Sequence, residues 1–240
     1  MKINSASIQN WILPVAAVVA WEIFGRAGML PRYLSFPSAI LAALWELAVT
    51  GELLVALAAS LYRVTAGFVL GTVAGVVVGL GAGIVPGIRH FFDPLVSFLY
   101  SIPKIAIIAF SGFFPVFVAS RHAVLSVNKL LIWTAQNMGT PERKIFFRVV
   151  IPAAAPQLFS GVRIGLAHAF VVLFAAELIG SKVGLGTIIS SGEEWVRFDL
   201  MFAGIVCFAV LGFVSDRILL AVRARVLKGQ MLGTEEQMVR

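Results

Sequence analysis

The sequence predicts an all-α integral membrane protein, a helical bundle of about five to six spans whose third and fourth span region is shortened. Three observations lead there. Sixty per cent of the 240 residues are hydrophobic and only 13% are charged, where a soluble domain carries about a quarter charged residues. Mean hydropathy is +0.96, an excess of apolar surface that water cannot cover. The charges fall in short clusters between long apolar runs, as the positive-inside pattern of membrane loops requires.

That clustering also sets aside one class of partner. A net charge of +7 and a pI near 10.1 suit nucleic acid only when the basic residues form one continuous face, and here they do not. The single cysteine, Cys207, lies inside an apolar run and reads as a small packing residue.

The first apolar stretch, Ile8 to Phe24, is flanked by Trp11 and Trp21 and is taken as a first membrane anchor; Gly28 and Pro31 end it. Pro37 to Glu52 has the pattern of an amphipathic helix, interfacial or packed against the bundle edge. A second span follows from about Leu57 to Val85. In it Gly67, Gly71, Gly75, Gly79 and Gly83 recur at every fourth residue and so share one face. Such a stripe lets another helix approach backbone to backbone; a pore-lining stripe is the alternative. Asp93-Pro94 is a helix start, with Asp as cap and Pro at the first helical position. Later come a span from about Gln157 to Ile179, a polar turn holding Gly184, Gly186, Glu193 and Glu194, and a last span from about Leu200 to Leu220.

Between them lies a long polar segment, about Arg121 to Arg148, with Lys129, Arg143 and Lys144 inside it. It is the most basic loop, hence expected in the cytoplasm, as is the tail with Arg217, Arg223, Arg225 and Lys228. Two spans separate them, which satisfies parity. The stretch Pro94–Ser120 must then leave the cytoplasmic side and return, yet two complete helices need about 20 residues each. We therefore expect a re-entrant pair of short helices broken at Pro103, Gly112 and Pro115, with a single inverted crossing as the alternative. The division is residues 1–54 as span and amphipathic helix, 55–225 as transmembrane core with a loop at about 121–152, and 226–240 as tail.

Within the loop, Lys129 to Met138 has helical content and Gly139 ends it with a joint. Thr140-Pro141-Glu142 starts a second helix as cap, first-turn proline and acid at the positive dipole end. That helix carries Phe146 and Phe147 and is expected to stop before Pro152. Two short helices with exposed aromatics suit docking into a groove of a soluble partner; a solvated loop is the alternative.

Here the sequence resembles a family. Thr134-Ala135, Gly139, Val149 and Ile151-Pro152 fall at the spacing of the EAA loop of binding-protein-dependent ABC transporter permeases. Trp133 stands at that pattern's acidic position and Thr134 at its first alanine. Ser60-Leu61-Tyr62-Arg63 with Gly67, Asp93-Pro94, Ser101-Ile102-Pro103, Phe113-Phe114-Pro115 and Ala176-Glu177-Leu178-Ile179-Gly180 look like the nitrate/sulfonate/taurine branch. The likeness runs from about residue 10 to 225, with an apparent internal shortening near residues 107–109.

The resemblance implies an ABC importer permease fold and a multi-pass subunit of the cell inner (plasma) membrane. It implies an ATP-driven importer for a small anionic or zwitterionic solute, and a homodimer in contact with lipid. The partners are a cytoplasmic ATPase and a periplasmic or extracellular solute-binding protein. Its ATPase-coupling residues fall on Thr134, Ala135, Met138, Gly139, Thr140, Phe146, Phe147, Ile151 and Pro152. No GxxxxGK[ST] phosphate loop occurs in the chain, so ATP belongs to the partner and no cofactor or enzymatic activity is expected here. The alternatives are an ion-driven secondary transporter using Glu177 or His168, or a transport-defective shortened permease. Those two residues, nine apart, lie about 900° around one helix and so on opposite faces. A structural role is preferred for both.

Overall fold

The computed structural model describes residues 5–84 and 105–228, with side chains over 12–84 and 111–228. Among them the chain is helical throughout and contains no strand. The helices are α1 Ser5–Arg26, α2 Pro37–Val49, α3 Glu52–Ile84, α4 Ile105–Leu125, α5 Lys129–Asn137, α6 Glu142–Ile145, α7 Ile151–Gly180, α8 Leu185–Glu194 and α9 Phe198–Val226. A π-helical turn, Phe146–Val150, joins α6 to α7. Three helices among the described residues are long and apolar enough to cross a membrane: Glu52–Ile84, Glu142–Gly180 and Phe198–Val226. The all-α membrane class is as expected. The helix start at Asp93-Pro94 and the break at Pro103 lie outside the described residues.

The chain forms two compact units, one of Met1–Leu61 with Ala175–Val210, the other of Tyr62–Phe174 with Leu211–Arg240. In the first, α2 opens at Pro37 and buries Ile40, Ala43 and Leu47 along one face, while Leu41 and Trp45 stay exposed. A helix buried along one face with large apolar side chains exposed on the other lies at the edge of its unit. Glu22 of α1 accepts the backbone N–H of Ser38 at 2.9 Å, serving as a cap supplied from another helix.

The expected polar turn at 184–194 is instead a buried helix, α8. Leu185, Ile188, Ile189 and Gly192 are buried, and their i, i+3, i+4, i+7 spacing is the stripe of an amphipathic helix. The glycines and Glu193-Glu194 disguise that period in the sequence. Gly192 and Gly204 allow α8 to lie against α9: a Cβ at Gly204 would come 2.6 Å from Ile189 Cγ1.

In the second unit, α3 lays Gly75, Gly79 and Gly83 on α4. A Cβ at Gly75 would stand 2.9 Å from Val116 Cβ, at Gly79 2.6 Å from Ser120 Cβ, and at Gly83 2.9 Å from Val124 Cβ. Both series ascend by fours, so the two helices run parallel there and end on the same side. The loop after α4 therefore emerges beside the end of α3.

This corrects the expected breaks at Gly112 and Pro115, while the first limb of the expected re-entrant pair lies outside the described residues. From Ile105 to Leu125 α4 is one helix, unbroken at Gly112 or Pro115. A proline removes one backbone hydrogen bond and is tolerated where neighbouring helices support the segment. Here α7 supports the face of α4 next to α3, with a Cβ at Gly165 standing 2.8 Å from Val116 Cγ2 and 3.0 Å from the Gly112 carbonyl. Arg121 and His122, expected at the start of the polar loop, belong to the last turns of α4.

Candidate functional site

The segment between α4 and α7 is built locally. Asn128 caps α5 by accepting the Leu130 N–H at 2.9 Å, which satisfies one of the open donors of the first turn. At the other end the Gly139 N–H bonds the Gln136 carbonyl at 2.9 Å and the Thr140 N–H bonds the Ala135 carbonyl at 3.1 Å. Gly139 sits at φ +74°. This is the paired closure of a Schellman motif, which needs a left-handed residue at that position.

The next helix starts one residue later than expected, at Glu142, with Pro141 extended at the cap. It does not stop before Pro152. The chain widens into the π turn, where the Ile151 N–H bonds the Phe146 carbonyl five residues back, and then continues as α7. A proline ring would crowd the carbonyl four residues earlier in a regular α-helix; the wider turn relieves that conflict. Residues 142–180 thereby form one continuous helical rod.

Ala123, Val127, Ile145, Val150 and Ala154 form a buried cluster beneath α5, with Ile132, Ala135, Phe146, Val149 and Leu158 packed on it. Ser126 ties the end of α4 to α7 by donating to Gln157 Oε1 at 2.7 Å. The outer side of the loop is apolar as well. Met138 is 80% exposed, Phe147 66%, Leu130 62% and Trp133 57%.

The sequence-predicted residues thus divide. Thr134, Met138, Gly139 and Phe147 face outward, and Thr140, Ile151 and Pro152 are half-buried. Ala135 and Phe146 pack inward on the same cluster. The Phe146 and Phe147 rings meet edge to face, centroids 5.1 Å apart. Leu130, Leu131 and Trp133 were missed as outward residues, although a period reading of α5 places Leu130 and Trp133 away from Ile132 and Ala135.

Two polar groups lie in the spans as expected. His168 Nδ1 is 2.9 Å from the Ile164 carbonyl of its own helix. Glu177, only 2% exposed, accepts from Ser60 Oγ at 2.8 Å and from the Gly186 N–H at 3.0 Å. A third group was overlooked: Arg163 pairs with Asp216 at 2.6 Å. Charges inside both expected spans were the available signal.

A family model described as binding-protein-dependent transport system inner membrane component matches residues 33–228. Similar proteins include a permease of Bacillus subtilis (strain 168) named for aliphatic sulfonates transport, 29% identical over 92% of this chain and 87% of that protein. A protein of the same name in Escherichia coli (strain K12) is 30% identical over 87% of each chain. The taurine transport system permease protein of that organism is 29% identical over 89% of this chain and 86% of its own length.

Proposed function

Because this chain belongs to the family of inner-membrane components of binding-protein-dependent transport systems, we propose that it passes a sulfonate-class solute across the membrane and seats the driving ATPase on residues 129–152. As a member it is a permease subunit of an ATP-driven importer, a transport component and not an enzyme. Its partners by family are a separate ATPase and a solute-binding protein. Relatives named for aliphatic sulfonates and taurine support the solute class. A homodimer in the inner membrane, with lipid against exposed Leu70, Val73 and Val77 of α3, completes the reading.

One observation carries the seat. Helix α5 is apolar on both sides, with Ile132 and Ala135 packed on the buried cluster and Leu130, Trp133 and Met138 exposed. An apolar outer face flanked by Lys129, Arg143 and Lys144 fits a cleft in a soluble partner better than water. Below it, the rod from Glu142 to Gly180 is continuous. A displacement of α5 on ATPase closure passes through the cluster into α7 without a flexible joint, which suits switching of access between the two sides.

The test is copurification with the cognate ATPase together with ATP-dependent uptake in vesicles. Met138→Asp and Gly139→Trp should each abolish both; Met138→Asp leaves the melting temperature of the permease alone unchanged, whereas Gly139→Trp lowers it because a side chain is strained at φ +74°. Full copurification and turnover in these variants would remove the docking role. Uptake by the permease without its ATPase would instead favour an ion-driven carrier.

A further inference from the structure

The two helices α7 and α9 share a charge pair that the ATPase seat does not use. Arg163 Nε donates to Asp216 Oδ1 at 2.6 Å and Nη2 donates to Oδ2 at 2.9 Å, the bidentate fork in which a guanidinium is held in one orientation. The side chains are nevertheless 52% and 27% exposed. Of the five guanidinium N–H groups, the two on Nη1 and one on Nη2 have no partner among the described residues.

Hydrocarbon is a poor cover for these donors. Both residues lie inside helices long and apolar enough to cross a membrane. At a rise of ~1.5 Å per residue, Arg163 is about 18 Å along α7 from Ile151 and Asp216 about 15 Å along α9 from Val226. An ionisable group at such a position faces protein or a water-filled path. The local balance is positive, because Arg217 follows Asp216 with its guanidinium 4.8 Å over the Phe213 ring. Arg163, Asp216 and Arg217 together leave one net positive charge.

We infer that Arg163 is an anion contact of the permease: its free Nη1 edge receives a tetrahedral oxyanion, the sulfonate of the passing solute or the phosphate of a lipid headgroup. Asp216 is the positioning residue. It fixes the plane of the fork and tempers its charge, and a transport path needs this compromise, since a site must bind well enough to admit a solute and weakly enough to release it. The sulfonate source rests on the solute class proposed above.

The experiment uses the complete importer, with ATPase and binding protein, in vesicles of phosphatidylcholine with and without phosphatidylglycerol. Uptake of taurine and ethanesulfonate is measured for the parent and for the double variant Arg163→Met/Asp216→Leu. Removing both charges leaves neither stranded, so the helices stay packed. Uptake should fall about tenfold or more while copurified ATPase and melting temperature hold. Asp216→Asn should do the opposite to affinity and lower KM several-fold. Where the double variant does not fold, Arg163→Lys keeps the charge and loses the fork, and KM should rise with kcat held.

A defect that raises KM equally in both vesicle types identifies the sulfonate, and a loss of rate at unchanged KM, with less lipid phosphorus copurifying with the permease, identifies the lipid phosphate. A double variant that matches an active parent in rate and KM overturns the inference and leaves the pair as a helix clamp. A parent that takes up neither sulfonate overturns the solute class and the sulfonate source together, which is a distinguishable result.

Discussion

Ser60 Oγ lies 2.8 Å from both carboxylate oxygens of Glu177 and accepts the Leu185 N–H at 3.0 Å. Glu177 itself takes the Gly186 N–H. The first two donors of α8 are thus capped by side chains from α3 and α7, because Gly184 at its N-cap makes no side-chain cap hydrogen bond. Ser60 and Glu177 are buried at 0% and 2% exposure, so no water replaces a lost partner. Glu177→Ala should cost about 3 kcal/mol and Ser60→Ala about 1–2 kcal/mol, read as melting in detergent. The double variant should cost less than the sum, since one network is removed twice.

Two glycines should fail for different reasons. Gly79→Ala places a Cβ 2.6 Å from Ser120 Cβ and 2.7 Å from the Phe117 carbonyl. The carbonyl cannot turn aside, so α3 and α4 must separate, at about 1–3 kcal/mol. Gly139→Ala meets open space but keeps a left-handed backbone at φ +74°, which costs about 1 kcal/mol. Melting should therefore drop more for Gly79→Ala, whereas ATPase copurification should suffer only for Gly139→Ala.

What the sequence revealed of this molecule follows from how local each signal is. The spans and the joint at Gly139 were legible because an apolar run and a Schellman glycine are written within a few neighbouring residues. Helix α8 was not, since its two acids and its glycines outweighed a short apolar period in a reading by composition. The stop before Pro152 applied a rule for regular α-helices, and the π turn is the exception to it. The pairs that matter most inside the spans join distant residues: Arg163 meets Asp216 across 53 positions, and Ser60 meets Glu177 across 117. Periodicity along one helix carries no record of such partners.

Val196 has φ +57°, a left-handed conformation that costs a β-branched residue about 1–2 kcal/mol. Its side chain is 68% exposed, so little packing offsets that strain. Asparagine adopts the same conformation more readily. Val196→Asn should raise stability by about 0.5–1 kcal/mol, seen as a higher melting temperature, and a fall would show that the Val196 side chain has a packing role.

Arg197, in the turn before α9, joins Glu46 of α2 through paired bonds of 3.0 and 2.7 Å and also meets Asp199 at 2.9 Å. The hydrogen bonds and the positive charge hold the Glu46 carboxyl below its ordinary 4.5 and raise the guanidinium further, so Arg197 stays charged throughout. A depressed carboxyl contributes stability that is complete above its unfolded pKa and is lost as pH falls through the folded value. The link between α2 and this turn should therefore be constant at neutral pH and weaken only as pH drops below 4.5. The pair is solvent-exposed, so the effect is small and shrinks with added salt. Glu46→Gln should flatten that acid limb in a melting-versus-pH profile and leave the neutral plateau slightly lower. An unchanged acid limb in the variant would assign the loss of stability to another carboxylate.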